Sequence, residues 1–289
     1  MKRKTRILLM VLALVCVGGI VFAQQRGYGG RRGPRRGPDF SERNGVPEWE
    51  VDPAFKKDVF TFVRIRYTSV SRYGPDGRWR TGGDWYTDAP DSDLNLAYRL
   101  QQLTSLKVDP KGKVLELTDP ELFDYPFIYI VEPGRLEFND EERACLRRYL
   151  LNGGFLMVDD FWGENEGDNW YEQIAQVLPE PQYQPVKLTL DHPIFHCVYD
   201  LKELPQIPAI QIAIANKGTG ITWEREDAKE PDYRAIYDDK RRIMVMICHN
   251  TDNGDGWERE GEDEWYFHEF GEKRAYPMGI NIVFYAMTH

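Results

Sequence analysis

LRRYLLNGGFLMVDDFWG, residues 146–163, links the end of a helix to a buried strand and decides the fold class. Its first half, with two arginines ahead of Asn-Gly-Gly, is typical of a helix C-terminus. Cations complement the helix dipole there, and glycine adopts the left-handed cap conformation. Phe155–Val158 then predicts a central strand that runs into two adjacent carboxylates, Asp159 and Asp160. A helix that leads directly into a fully apolar strand is typical of an α/β protein with a parallel sheet.

Strand-like and helix-like segments alternate on both sides of this stretch. Asn139 is a favourable N-cap for the helix that the stretch completes, and three acidic residues follow it. The order of segments predicts a single α/β domain over residues 52–289, with a mainly parallel central sheet covered on both faces. Further strands are predicted at Val59–Tyr67, Val114–Leu117, Pro126–Val131, Ile210–Ala215, Tyr233–Tyr237 and Ile243–Cys248, and further helices at Leu94–Thr104, Asn169–Leu178 and Met278–Met287.

The N-terminus has the three-part layout of a secretory signal peptide. Four basic residues open the chain, an apolar run extends from Ile7 to Ala23, and Val21 and Ala23 occupy the small-residue positions before a cleavage site. We therefore predict a signal peptide over residues 1–23, cleaved after Ala23, and a periplasmic or secreted protein. The alternative is an uncleaved membrane anchor, although the run is at the short end for a spanning helix. In either case the domain lies outside the cytoplasm.

Residues 24–50 form a second compositional block. QQRGYGGRRGPRRGPDF, residues 24–40, holds five arginines among glycines and prolines. Such a segment buries too little apolar area to offset its chain entropy, so we predict a disordered Gly/Arg/Pro-rich linker. Its simplest role is a soluble spacer. The alternative is an electrostatic tether to anionic lipid, envelope polymer or nucleic acid.

The remaining chain is strongly acidic. Nine of the 37 basic residues precede residue 37, which leaves 28 against 47 acidic residues, a net charge of −19. This balance argues against a nucleic-acid partner for the folded domain. The three cysteines after the signal, Cys145, Cys197 and Cys248, show neither a disulfide framework nor metal-ligand spacing.

Asp159 and Asp160 are the leading candidates for a functional site. Ligands of open α/β sheets bind beyond the carboxyl ends of the strands, and a buried strand is a costly place for an unneeded charge. The pair could bind a divalent metal, a sugar hydroxyl or a basic group of a partner, or supply a general base. Alternatively, one carboxylate caps the following segment and the other pairs with an arginine.

Two loops at other strand ends supply further candidates for ligand binding. The long loop after the first strand carries Trp85 and Asp88, and Trp162 follows the central strand. The two tryptophans could stack on a sugar ring, but burial as loop anchors is the commoner use. The segment Asn250–Gly256 adds Asn250, Asp252 and Asp255. It lacks the ligand spacing of an EF-hand, so a turn rich in Asx side chains is the alternative.

The segment DHPIFH, residues 191–196, places two histidines four residues apart. Pro193 excludes a regular helix interior, so the geometry of helical zinc motifs is not available. His192 remains a candidate catalytic residue beside Asp159 and Asp160. We assign no metal ligands and expect no cofactor.

Six blocks, in order, carry a resemblance to a known family. They are FTFVRIRYTS (60–69), the loop from Trp85 to Asp93, LRRYLLNGGFLMVDDFWG, DHPIFH, RRIMVMICHNTDNGDGWE (241–258) and GINIVFYAMTH (279–289). Over nearly all of residues 59–289 the chain resembles the bacterial family called domain of unknown function 4159. The resemblance implies a three-layer α/β sandwich similar to class I glutamine amidotransferase-like domains, with flavodoxin-like relatives. It implies no activity.

Enzymes of that wider fold group use a nucleophilic cysteine on a sharp turn after a central strand. In this chain the corresponding turn carries Asp159 and Asp160, so we expect no amidotransferase activity. The sequence therefore favours a non-catalytic binding or accessory module of the cell envelope, with an envelope protein or glycan as partner. Membrane contact is expected only if the N-terminus stays uncleaved. The alternative is a hydrolase or isomerase that acts on a sugar or polyol, with Asp159 or Asp160 as acid/base or metal ligand.

Overall fold

A mainly parallel sheet lies at the centre of the structure, a computed structural model that describes residues 43–55 and 58–289. In this part of the chain the sheet has seven strands in the order β3-β1-β4-β6-β9-β8-β7. The five neighbouring strands β3, β1, β4, β6 and β9 pair in parallel. Strand β8 pairs antiparallel with both β9 and β7. The strands of this sheet are β1 (Val63–Ile65), β3 (Lys113–Leu115), β4 (Phe127–Val131), β6 (Phe155–Asp159), β7 (Val186–Lys187), β8 (Asp232–Tyr237) and β9 (Ile243–His249); β2 (Thr68–Ser69) and β5 (Leu136–Glu137) form a separate pair.

Helices cover both faces of the sheet. Successive residues of β4 alternate between two buried apolar clusters: Tyr129 belongs to the cluster beneath α1 and α7, and Ile128 to the cluster beneath α2 and α3. The predicted α/β sandwich with a mainly parallel sheet is therefore confirmed. The helices are α1 (Asp91–Leu103), α2 (Asp140–Leu151), α3 (Gly163–Val177), α4 (Ile210–Ala215), α5 (Asn253–Glu258), α6 (Glu264–Tyr266) and α7 (Tyr276–Thr288), with a π-helix at Phe267–Ala275 between the last two.

The segment from Asn139 to Asp159 adopts the predicted helix and strand. The Asn139 side chain accepts hydrogen bonds from the backbone N–H groups of Glu141 and Glu142, and Glu142 returns a bond to the Asn139 N–H. This capping box satisfies N–H groups that the helix leaves unpaired. At the other end α2 stops at Leu151, and Gly153 adopts a φ of 112° before β6 begins.

One predicted strand is a helix. Ile210–Ala215 forms α4, and only Ile210 and Ala213 of its residues are buried, which is the spacing of one helical turn. Two carboxylates fix its start: Asp255 Oδ2 accepts from the Ile210 N–H at 2.5 Å, and Glu224 Oε1 accepts from the Ala209 N–H at 2.7 Å. A short apolar run fits either structure by periodicity, and here these distant acids decide it.

Two helix starts also differ from the prediction. The helix predicted at Asn169–Leu178 already begins at Gly163, directly after the turn that follows β6. The helix predicted at Leu94–Thr104 begins at Asp91, and its N-cap residue is Pro90. Asp93 lies in the first turn and pairs with Arg64. Both helices therefore start closer to the strand ends than their apolar patterns indicate.

The predicted signal peptide and most of the predicted linker lie outside the described residues. Within residues 43–50, Trp49 contacts the domain: its indole N–H donates to the Val108 carbonyl at 2.8 Å, and its ring packs on Tyr98. No helix among the described residues has the length and apolar character required to cross a bilayer.

A carboxylate-lined candidate site

A cavity of about 450 Å³ opens where the central parallel strands end. It lies among the turns after β4 and β6, the loop before α1, and the start of α5. Fifteen described residues line it, and two arginines, Arg225 and Arg259, are among them. Seven of the fifteen carry carboxyl groups: Asp88, Glu132, Asp160, Glu166, Glu224, Asp252 and Asp255.

The backbone turns sharply at the end of each strand that leads to the site. Three residues that directly follow strands have positive φ values. They are Glu132 after β4 (46°), Asp160 after β6 (54°) and Asn250 after β9 (61°). Left-handed conformations are disfavoured for residues other than glycine and cost about 1 kcal/mol or more. Such positions persist only where the surrounding structure enforces them, and they cluster at functional sites.

The turn at Asp160 separates the two adjacent aspartates. Asp159 is fully buried and points back into the protein. Its Oδ1 accepts from Asn253 Nδ2 at 2.8 Å, and its Oδ2 accepts from the Gly254 N–H at 3.1 Å and the Tyr129 hydroxyl at 3.2 Å. Burial raises the Asp159 pKa to about 7, against the opposing effect of these hydrogen bonds. Asp159 therefore anchors the loop after β9 and does not line the cavity.

Asp160 faces the cavity. Among the described residues its carboxylate accepts one side-chain hydrogen bond, from Trp162 Nε1 to Oδ1 at 3.1 Å. Burial raises its pKa well above the usual range, and the nearby carboxylates of Glu132 and Asp88 raise it further. Of the two predicted aspartates, Asp160 alone is placed to contact a ligand.

The loop after β9 reaches the same cavity through two of its three predicted residues. Asp252 caps α5, with Oδ1 accepting from the Asp255 N–H at 2.6 Å. Asp255 accepts from Arg259 Nε at 3.0 Å in addition to the Ile210 N–H. Asn250 does not line the cavity: its amide links the Gly163 N–H to the Glu230 carbonyl and so joins the end of β9 to the start of α3.

Asp88 lies on the loop before α1 and completes the acidic lining. Its Oδ2 atom is buried and has no hydrogen-bond partner among the described residues. Burial raises the Asp88 pKa well above the usual range, followed by repulsion from Asp255 and Glu258, while Arg64 opposes the shift. A buried carboxylate oxygen without a donor is a high-energy arrangement for an isolated protein.

Arg64 of β1 holds this loop in place. It is fully buried and donates to Asp93 at 2.6 and 2.9 Å, to the carbonyl oxygens of Trp85 and Thr87, and to the Ser92 hydroxyl. The bonds to the two carbonyl oxygens fix the backbone just before Asp88, and those to Ser92 and Asp93 fix side chains just after it. Arg64 was not predicted as a site residue, although its charge within the otherwise apolar segment VFTFVRIRY is a signal that the sequence contains.

The remaining predicted residues lie apart from the acidic cluster or at its margin. Trp162 lines the cavity but is only 2% exposed, and Trp85 packs beneath Arg66 and against Tyr86. The two tryptophans therefore act as anchors and do not form a stacking platform. His192 caps a short 3₁₀ helix and contacts the Tyr237 hydroxyl at 3.2 Å, and it is not among the residues lining the cavity.

Three acidic residues of the site were missed from the sequence. Glu132 follows β4 directly, so its strand-end position was a usable signal. It accepts hydrogen bonds from the Asp84 N–H at 3.1 Å and from the Thr87 hydroxyl, and burial raises its pKa to about 7. Glu166 and Glu224 come from α3 and a loop remote in sequence, and no local pattern marks them.

Two sets of carboxylates are close enough to share one cation. The ligand atoms of Asp88, Asp160 and Asp252 all lie within 4.8 Å of one another, and so do those of Asp88, Asp255 and Glu258. Carboxylate oxygens are the ligands that Ca²⁺ and Mg²⁺ prefer. The same crowding is also tolerated when some of the groups are protonated. No cysteine is among the described residues lining the cavity, so the arrangement offers no thiol nucleophile.

Comparison with known proteins places the chain in a family. A search of the curated proteins finds no match to it. The family model described as Domain of unknown function (DUF4159) matches residues 61–287, which include every residue that lines the cavity. The chain therefore belongs to the DUF4159 family.

Proposed function

We propose that this domain is a non-catalytic binding module that takes up a polyhydroxylated ligand, such as a sugar unit of an envelope glycan, in the acidic cavity. The observation that carries the proposal is the convergence of seven carboxyl groups and two arginines on one concave site at the strand ends. Carboxylates accept hydrogen bonds from hydroxyl pairs, and guanidinium groups donate to hydroxyl and ring oxygens. The position of the site also supports the proposal, because open α/β sheets bind their ligands beyond the carboxyl ends of the strands.

The composition of the site argues against a thiol- or histidine-based catalytic machinery. Cysteine and serine nucleophiles are most often activated by a neighbouring histidine. Among the described residues that line the cavity, Thr87 alone has a side-chain hydroxyl group, and this group donates a hydrogen bond to Glu132. Neither a cysteine nor a histidine is among these lining residues. Arg225 is engaged with Glu166, and Arg259 with Asp255, so both cations are held at fixed positions in the wall.

A hydrolase or isomerase acting on a sugar or polyol is the second candidate. The observation that favours it is the pKa of Glu132, about 7, next to Asp160, whose pKa is also raised. Carboxyl groups that titrate near neutral pH suit general acid/base catalysis. In this case Asp160 is the candidate acid/base, because Asp159 is committed to internal hydrogen bonds.

We also propose that the fold belongs with the class I glutamine amidotransferase-like domains. Supporting this, Asp160 stands at a left-handed position between the central strand β6 and helix α3. A strained strand–turn–helix junction exposes the side chain at its apex. In the resembling enzymes that apex holds the nucleophilic cysteine, so this chain would use the same position to present a carboxylate.

The ligand proposal is tested with the purified chain and a panel of bacterial envelope polysaccharides. We expect saturable binding of at least one glycan, and a loss of tenfold or more in affinity for Asp160→Asn, since the amide cannot replace a charged acceptor. The matched control is Asp140→Asn, because the Asp140 side chain is fully exposed on α2. Binding is followed by calorimetry, and release of reducing ends is measured in parallel.

The outcomes of this experiment separate the two candidates. Glycan binding without new reducing ends or isomerised product supports the module. Turnover that Asp160→Asn abolishes and Asp140→Asn preserves supports the enzyme. Equal affinity in all three proteins, or no binding to any glycan, contradicts a polyol site in this cavity.

We further propose that the protein is exported to the cell envelope. The basic start and the apolar run from Ile7 to Ala23 support this proposal. Intact mass measurement of the mature protein is expected to give a chain that starts at Gln24 in the periplasmic or secreted fraction. An intact N-terminus in the membrane fraction would instead support the anchor, and one in the cytosol would contradict export.

A further inference from the structure

Asp88, Asp160 and Asp252 form an unusually unsatisfied part of the cavity wall. All three carboxyl groups are buried, and their ligand atoms lie within 4.8 Å of one another. Three negative charges at such separations repel strongly in a site shielded from water. An arrangement of this kind requires either protonation or a compensating cation.

The hydrogen bonds of these three residues leave the oxygens facing the cavity without donors. Among the described residues, Asp160 accepts its side-chain bond through Oδ1, from Trp162, and Asp252 also accepts through Oδ1, from the Asp255 N–H. Asp88 accepts none, and its buried Oδ2 atom lacks any partner. One oxygen of each carboxylate is therefore free to coordinate an ion.

The second set of close carboxylates is already compensated. Asp255 is paired with Arg259 at 3.0 Å and accepts the Ile210 N–H, and Glu258 lies 2.8 Å from the Arg259 guanidinium. A cation there would compete with an arginine that is held by three carboxylates. Asp88, which belongs to both sets, is therefore better placed to share an ion with Asp160 and Asp252 than with Asp255 and Glu258.

The protein's own cations near the unsatisfied set are committed elsewhere. Arg64 is the basic residue that most affects Asp88, yet its donors go to Asp93, to two carbonyl oxygens and to Ser92. Arg225 is paired with Glu166. Among the described residues, no ion pair involves Asp88, Asp160 or Asp252.

We infer that Asp88, Asp160 and Asp252 bind one divalent cation of the oxygen-preferring class, Ca²⁺ or Mg²⁺. Three carboxylate oxygens on one side of such an ion leave positions open toward the cavity. The inference rests on the proposed function in that these open positions would take up vicinal hydroxyls of the polyol. It adds the reason why three carboxylates converge on the wall of a site for a neutral ligand.

The test uses the purified chain, stripped with EDTA, and CaCl₂, MgCl₂ or TbCl₃ as the added metal. We expect calorimetry to give one cation per chain, and a tenfold or greater loss of affinity for each of Asp88→Asn, Asp160→Asn and Asp252→Asn. Asp140→Asn is the control with the same chemical change at an exposed position. Bound Tb³⁺ should emit on tryptophan excitation, since Trp162 hydrogen-bonds directly to Asp160.

The outcomes distinguish this inference from the proposed function. Absence of a stoichiometric cation, or equal affinity in Asp140→Asn and the three cluster variants, overturns the inference even if a glycan binds. Cation binding without any glycan binding sustains the inference and removes the polyol function. Thermal unfolding of every variant is recorded, and we expect each cluster variant to remain folded because neutralising one carboxylate relieves repulsion. Unfolding of Asp252→Asn leaves the test to Asp88→Asn and Asp160→Asn.

Discussion

Replacing Arg64 with methionine should lower the free energy of unfolding by about 3–5 kcal/mol, the largest single effect we expect in this protein. The substitution leaves Asp93, which is 2% exposed, as a buried charge without its partner. It also removes the donors that satisfy the carbonyl oxygens of Trp85 and Thr87. Methionine preserves much of the side-chain volume, so the loss reports charge and hydrogen bonding more than packing.

The electrostatics of Arg64 explain why the expected loss is large. Burial alone would lower its pKa, but the charge and hydrogen bonds of Asp93 reverse that effect and raise the pKa above the usual value. The folded structure therefore depends on the charged pair remaining intact. The loop that carries Asp88 is held by the same guanidinium, so we expect cation or glycan affinity to fall with stability.

Arg66 provides the matched control two residues along the chain. Its side chain is 51% exposed and its nearest acidic partner, Glu116, lies 3.6 Å away. Arg66→Met should cost no more than about 1 kcal/mol, the usual range for an exposed ion pair with a cation–π contact. Urea denaturation of both variants measures the difference. Equal losses for Arg64→Met and Arg66→Met would contradict the role assigned to the buried pair.

Stability should fall as the pH rises from about 5 to 8 when divalent cations are absent. Glu132 has a folded-state pKa of about 7 against 4.5 for the free side chain, chiefly because of burial. A raised carboxyl pKa means that the folded state binds the proton more tightly than the unfolded state. The contribution is complete below about pH 4.5 and is lost as the pH rises through 7, amounting to about 3 kcal/mol at 1.36 kcal/mol per pH unit.

Glu132→Gln isolates this contribution. The amide oxygen can still accept the bonds from Asp84 and Thr87, but it carries no titrating proton. We expect the variant to show a flatter dependence of unfolding free energy on pH in EDTA. Glu226→Gln, at a side chain 88% exposed, should leave the slope unchanged. A wild-type stability that is constant or increases between pH 5 and 8 would refute the assignment.

The sequence predicts the central layer of this fold well because the central strands are locally unambiguous. Phe127–Val131 and Phe155–Val158 are apolar runs bounded by turn or cap signals, and both lie in strands of the parallel sheet. Ile210–Ala215 was predicted wrongly as a strand, since its helical start depends on carboxylates from Asp255 and Glu224. Contacts between segments distant in sequence determine whether such a short element forms a helix or a strand. The periodicity of its apolar residues carries no information about these contacts.

The candidate site was predictable at its strand ends and on the loop that carries Asp88. Asp160, Asp252 and Asp255 follow strands, and the structure places all three on the cavity that Asp88 also lines. The opposite orientations of Asp159 and Asp160 depend on one left-handed turn, which the sequence does not reveal. Glu166 and Glu224 reach the cavity through the tertiary fold alone, so the full number of acidic groups was underestimated.

The π-helix at Phe267–Ala275 supports the site through the number of its residues as well as through their types. It packs on α5 so closely that a Cβ atom on Gly271 would lie 3.0 Å from the Gly256 carbonyl oxygen, and the Ala275 carbonyl accepts the Trp257 indole N–H. A π-helix uses one more residue per hydrogen-bonded turn than an α-helix. A substitution at exposed His268 would keep this register, whereas the deletion of one residue would turn one end of the helix by about 100° relative to the other.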